Sequence, residues 1–169
     1  MHKAIIDRCN EKNIAFLSTP FDHHGVRYLA EDLNLPVLKI SSGDLNNPLV
    51  LIAAGNSGKK IILSTGMADM LEVVEAVDAV AQARLAKNLT QPLSQILTVL
   101  HCTSNYPAAN EDVNLKAITT LQDSLNLPIG YSDHTQGIVV SVAAAALGAV
   151  VVEKHFTLDR NMSGPDHQA

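Results

Sequence analysis

Cysteine is scarce in this 169-residue chain. The two present, Cys9 and Cys102, could pair in principle, but a disulfide framework needs more, so reduced thiols in a cytoplasmic protein are expected. Charge is sparse too, with 17% charged residues and a net charge of −5. Aromatic residues are few, no basic run occurs, and aromatic and basic residues do not interleave, which argues against nucleic acid or an anionic membrane as partner. Long apolar runs are missing. Met1 to Arg8 lack the apolar core of a secretion signal. The most apolar window, Gly137 to Val152, is too short for a membrane span and is broken by Gly148. No GxGxxG, GxSxG or CxxC pattern occurs, which disfavours nucleotide-dependent redox chemistry and serine hydrolysis. Gly55-Asn-Ser-Gly-Lys-Lys60 fails as a phosphate loop, because Ala53 stands where the first glycine belongs and Lys60 where Ser or Thr belongs. A helix end and turn is the plainer reading.

What remains is a globular composition, 47% hydrophobic with no low-complexity stretch. Short continuous apolar runs alternate with amphipathic stretches. The runs Ile14 to Leu17, Val37 to Ile40, Ile61 to Leu63, Ile96 to Leu100, Pro128 to Gly130 and Val150 to Glu153 read as strands buried on both faces of a parallel sheet. Helices are expected over Ala4 to Lys12, over Ala68 to Lys87, where Leu71, Val74, Val77 and Ala81 keep helical spacing, and over Gln136 to Leu147, ended by Gly148. Such alternation signals βαβ units. Each run leads into a polar or ionisable cluster, such as Ser41-Ser-Gly-Asp44 or Tyr131-Ser-Asp-His-Thr135. An open doubly wound sheet gathers its chemistry at one crevice, whereas a (β/α)8 barrel bears reactive residues at every strand end. The expected fold is α/β, a (β/α)8 TIM barrel with about six units present and both ends looking cut.

Several clusters invite chemistry. His134 and His155 follow successive strands and can share a divalent ion with open positions, with Asp133 or Asp159 as a further or outer ligand. A lone histidine is more often structural, but the matching positions strengthen the pair. Lys39, Ser42, Ser64, Thr65 and Gly66 form an anion site, since a lysine ending a buried strand needs a partner. A structural salt bridge from Lys39 to Asp44 or Glu153 is the equal alternative. Tyr106 reads as a substrate wall or a structural turn. His23 and His24 are expected in solvent at a helix start, and His101 in or near the core. Nothing near Cys102 marks an activated thiol.

Eight stretches in order then resemble the N-acetylneuraminate (sialic acid) synthase family. They are Phe16-Leu-Ser-Thr-Pro-Phe-Asp22, Lys39-Ile-Ser-Ser-Gly-Asp44, Ile62-Leu-Ser-Thr-Gly-Met67, His101-Cys-Thr-Ser-Asn-Tyr-Pro107, Glu111-Asp-Val-Asn-Leu115, Gly130-Tyr-Ser-Asp-His-Thr135, Glu153-Lys-His-Phe-Thr-Leu-Asp159 and Gly164-Pro-Asp166. The resemblance implies condensation of phosphoenolpyruvate with an N-acylated amino sugar, N-acetylmannosamine for sialic acid itself, by a metal-dependent transferase. His134 and His155 would hold Mn²⁺, or Mg²⁺ or Co²⁺. Lys39, Glu153 and Asp166 would be catalytic. Thr19, Ser42, Asp44, Ser64, Ser104, Tyr106 and Ser132 would bind the substrates. Asp44 stands where relatives carry Glu or Asp, and Ser104 is Asn in some. The alternatives are a legionaminic or pseudaminic acid synthase, another phosphoenolpyruvate aldol synthase on the same barrel, or an inactive truncated remnant. Residues 1–169 would be a partial barrel, strands 3 to 8 of eight. The two first strands, with a Glu and a Lys of the site, and a C-terminal antifreeze-like domain that completes a homodimer would lie outside. By themselves these residues are then expected to be inactive or very weak.

Overall fold

The computed structural model describes residues 2–169. Five parallel strands pair in chain order: β1 (Val37–Ile40), β2 (Lys60–Ser64), β3 (Leu97–Cys102), β4 (Ile129–Asp133) and β5 (Val152–Lys154). They curl into part of a (β/α)8 barrel wall, and all the helices but the first, which has no buried residue, pack on its outer face. The helices are α1 (His2–Glu11), α2 (His23–Arg27), α3 (Pro48–Asn56), α4 (Met70–Ala86), α5 (Lys116–Leu125) and α6 (Val139–Ala146). Among the described residues, no helix is long and apolar enough to cross a membrane.

The strand expectation needs one correction. Ile14 to Leu17 forms no strand, so five units stand where six were expected. A parallel strand exists only by pairing with a neighbour, and no described residue pairs with this segment. Its apolar side chains are correspondingly open, with Ile14 62% and Leu17 41% exposed. The later strands also run further than their apolar runs. β4 extends through Ser132 and Asp133, and β5 runs one residue past Glu153 to Lys154, so polar site residues lie within the wall itself.

Local chemistry explains the helices. In α4 a capping box closes the first turn: the Asp69 side chain accepts from the Glu72 amide, and the Glu72 carboxylate accepts from the Asp69 amide. Pro48 opens α3, where its missing N–H costs nothing. Asn126, at a φ of 52°, ends α5, and Gly148, at a φ of 95°, follows α6. The core lies between wall and helices. Leu38, Ile40, Ile61, Leu63 and Val99 meet Val50, Val73, Val80, Ile118 and Ala144. Burial of each such aliphatic side chain stabilises by about 1.5–3 kcal/mol.

Two contacts hold β4 in place. Gly130 allows β5 to approach closely, since a Cβ there would lie 2.6 Å from the Val151 carbonyl oxygen and 2.5 Å from a Leu100 methyl. At the strand's end, Asp133 is fully buried and accepts hydrogen bonds from the Thr135 amide and hydroxyl and from Ser141 on α6. The Lys154 ammonium lies 3.4 Å from the same oxygen that accepts from Ser141, and it donates to the Thr135 carbonyl at 2.7 Å. Burial alone would raise the Asp133 carboxyl, but the hydroxyl and amide donors and the nearby ammonium outweigh it and hold its pKa below the usual aspartate value.

Gly130→Ala is expected to destabilise the chain by about 1–3 kcal/mol, the usual cost of overpacking, measured by chemical denaturation. A carboxyl with a depressed folded pKa adds stability that is complete above the unfolded value, about 3.9, and is lost as pH falls through the folded one. The unfolding midpoint should therefore fall more steeply below about pH 4 in the wild type than in Asp133→Asn.

Candidate active site

Side chains in a strand alternate between faces, and three strands use that alternation at the same height. Lys39 and Ser41 at the end of β1, Ser132 and His134 at the end of β4, and Glu153 and His155 at the end of β5 all line one cleft of about 490 Å³. Thr19, Phe21, Tyr106, Lys154 and Asp166 complete its lining.

Lys39 is only 6% exposed, so its charge must be answered. The ammonium donates to the Ser64 hydroxyl at 2.8 Å and to the Ile40 carbonyl at 3.3 Å, and lies 3.6 Å from a Glu153 carboxylate oxygen. Of the two partners considered for a salt bridge, Glu153 is the one the fold supplies. The pair is looser than a hydrogen bond and opens on the cleft, where the Glu153 side chain is 39% exposed, so an entering anion can compete for the lysine. Ser132 donates to the same Glu153 oxygen at 2.7 Å.

The His134 ring is set from two sides. Its Nδ1 lies 2.6 Å from the Thr103 carbonyl oxygen, which only accepts, so the proton sits on Nδ1. Nε2 then carries a lone pair. Its neighbour at 3.3 Å is the Ser132 hydroxyl, whose single proton goes to Glu153. Burial lowers the His134 pKa, the Thr103 carbonyl opposes this, and nearby His155 lowers it further, so the neutral ring is favoured. His155 stands with its ring centroid 5.5 Å from that of His134, and its Nδ1 is 4.0 Å from an Asp166 oxygen. Tyr106 stacks on His134 at 4.0 Å and meets His155 edge-on at 5.4 Å. Among the described residues, no group of three or more His, Cys, Asp or Glu side chains converges as a ready ligand set. With bonds of about 2.1 Å to each ring nitrogen, two imidazoles at this spacing can meet on one ion and leave its remaining positions open. The donor chemistry fits a divalent metal.

Ser42 and Ser104 lie next door. They line a neighbouring pocket of about 360 Å³ with Met67 and Glu72 and converge on Gly66. Gly66 has a φ of 55°, and a Cβ there would fall 2.5 Å from the Ser42 Cβ and 3.0 Å from the Ser104 hydroxyl. The missing side chain leaves a small hydroxyl-lined cradle. Asp44 lines neither space, and its carboxylate is taken up locally by Asn47 and Ser41. Asp159 stays in its own exposed turn, accepting from Asn161, and Asp133 faces away from the cleft into its network with Thr135 and Ser141. His23 sits in the first turn of α2 against the ring of His24, which is exposed. His101 is half-buried with Nε2 donating to the Val113 carbonyl at 2.7 Å, and burial lowers its pKa. Cys102 is buried and accepts from the Gly66 amide; burial raises its thiol pKa, the opposite of activation.

Sequence reasoning missed Phe21, Ser41 and Lys154 as lining residues. The period-2 partnership of Ser41 with Lys39 was a usable signal. Phe21 had a weaker one, a large aromatic within a polar strand-end cluster of a chain poor in aromatics. Lys154 had none, because alternation assigns it to the other face.

Residues 1–169 match the NeuB family model throughout. The chain is 52% identical over 168 residues to the N,N'-diacetyllegionaminic acid synthase of Campylobacter jejuni, covering 99% of this chain and 48% of that protein. It is 41% identical over 160 residues to the N-acetylneuraminate-9-phosphate synthase of Homo sapiens, covering 94% and 42%. The crystal structure of the N-acetylneuraminic acid (sialic acid) synthetase of Leptospira borgpetersenii in complex with citrate superposes with a TM-score of 0.86 at 38% identity, over 98% of this chain and 54% of that one. The chain thus spans about half the length of the relatives it matches. With its full length matched by one family and its polar strand ends gathered around one cleft, the chain belongs to the NeuB family.

Proposed function

We propose that this chain carries the reaction cleft of a nonulosonic acid synthase, which condenses phosphoenolpyruvate with an N-acylated amino sugar and releases phosphate. The observation that carries the reading is the meeting of a buried ammonium, a carboxylate and two imidazoles in one cleft. Lys39, Ser64, and the Ser42–Ser104 cradle at Gly66 suit a phosphate and a carboxylate through charge-assisted hydrogen bonds. Held by Nε2 of His134 and by His155, a divalent ion such as Mn²⁺ would supply Lewis acidity toward the sugar aldehyde. The C2=C3 π pair of phosphoenolpyruvate bonds C3 to the aldehyde carbon, leaving C2 electron-poor, and the aldehyde oxygen takes up a proton from solvent and becomes a hydroxyl. Water adds at C2 and gives a proton to Glu153, which Lys39 and Ser132 orient. The C2 hydroxyl then becomes the keto group as the C2–O bond to phosphate breaks and its proton leaves with the phosphate, Lys39 stabilising the departing charge. Tyr106 and Asp166 border the space left for the sugar.

N-acetylmannosamine, the precursor of sialic acid, is the first sugar to consider. A diacetamido sugar is the second, favoured by the higher identity to the legionaminic acid synthase, 52% against 41% for the human relative. Phosphate release from phosphoenolpyruvate with each sugar in turn, measured on a protein that joins this chain to the remaining strands of the barrel, distinguishes them. The bridging oxygen of phosphoenolpyruvate should leave in the phosphate, which an ¹⁸O label at that position reports.

Calorimetry should find Mn²⁺ binding to the wild-type chain and none to His134→Ala or His155→Ala. A folded wild type that binds neither Mn²⁺ nor phosphoenolpyruvate would sink the reading. Lys39→Met should weaken phosphoenolpyruvate binding by about 10- to 100-fold, the range of a lost hydrogen bond to a charged group, with the fold retained by circular dichroism.

A further inference from the structure

Asp133 faces away from the cleft and Lys154 borders it with its ammonium turned to Asp133 and Thr135, and each immediately precedes one of the two imidazoles in the chain. The strand register pairs Asp133 directly with Lys154. Their side chains repeat that pairing as an ion pair at 3.4 Å, on the opposite side of the wall from Ser132 and Glu153. The carboxylate is completely buried, and each of its oxygens has partners: Thr135 amide and hydroxyl on one, Ser141 and the Lys154 ammonium on the other. Lys154 also donates to the Thr135 carbonyl, which ties the loop after β4 to β5 a second time. The loop after β3 joins the same knot, because the Ala108 amide donates to the His134 carbonyl and Ala108 bridges to Thr135. A buried carboxylate with a single ammonium for compensation is costly to disturb, and groups behind a ligand commonly decide its orientation.

We propose that the Asp133–Lys154 pair is a positioning device that sets the spacing and ring orientation of His134 and His155. The inference rests on the reading of those two imidazoles as one metal site. Lys154 is a positioning residue although it borders the cleft, since its ammonium is held by Asp133 and Thr135. The pair ties the end of β4 to the end of β5 one residue before the rings diverge into the cleft. Loosening it leaves both rings present but lets their 5.5 Å separation drift and frees the Thr103 contact of His134.

The test compares wild type, Lys154→Met and Lys154→Arg by two signals. The first is Mn²⁺ affinity by calorimetry. The second, which needs no metal, is the Nδ1 proton of His134 in ¹⁵N-histidine NMR, protected by its hydrogen bond to Thr103. Lys154→Met is expected to weaken Mn²⁺ binding by about 10- to 100-fold, the usual effect of losing a group behind a ligand, and to lose the protected proton signal. Lys154→Arg keeps the cation and should restore most of both. A folded Lys154→Met with wild-type affinity and an unchanged proton signal overturns the proposal. If the wild type binds no Mn²⁺, the metal reading falls, and the proton signal alone decides whether the pair positions His134. Should Lys154→Met fail to fold, Ser141→Ala removes one donor to Asp133 without burying an unpaired charge. It should shift the same signals in the same direction by a smaller amount, and wild-type values in both would overturn the proposal.

Discussion

The cleft is organised around the ammonium of Lys39. A cation this deeply placed in a barrel wall must be met by oxygen atoms, and the wall meets it with Ser64 from the adjacent strand and Glu153 from the far one. Glu153 in turn takes the only proton of Ser132, and that leaves the nearby lone pair of His134 without a donor. One buried charge therefore propagates across the cleft into the state of an imidazole. The chain of partners runs from β1 through β5 back to β4, which is possible only because the sheet curls enough to bring non-adjacent strand ends within reach.

Geometry and electrostatics divide between the two faces of the strands. The inward series Lys39–Ser41, Ser132–His134 and Glu153–His155 is open to ligands. The outward residues between them belong to the scaffold, where Asp133 and Lys154 form a knot with Thr135 and Ser141. Small residues make this density possible. Gly130 lets β5 lie close against β4, and Gly66 leaves room for two hydroxyls to converge. A methyl group at either position would collide with neighbours at about 2.5 Å.

Much of this was legible in the residues. Continuous apolar runs marked β1 to β5 because strands covered on both faces need them, and Gly148 marked the end of α6 because a left-handed turn there favours glycine. The strand ends were misjudged by one to a few residues, since Ser132, Asp133 and Lys154 are polar and broke the apolar pattern while remaining in the ladder. Ile14 to Leu17 had the right composition and still formed no strand. Composition describes what a segment can bury, whereas a strand also needs a partner's hydrogen bonds.

The sequence alone determined the alternation of strand and helix, the parallel barrel wall, and which residue types cluster at the strand ends, because those follow from periodicity and turn chemistry within a few neighbouring residues. Tertiary structure decided which of those residues meet. Lys39 had two carboxylates as possible partners, and only the curl of the wall selects Glu153. Asp44, equally plausible from its neighbours, is drawn into a local turn by Asn47 and Ser41 instead. The tautomer of His134 depends on the carbonyl of Thr103, 31 residues away in the chain. Partnerships of that kind arise from long-range packing, which no local pattern encodes.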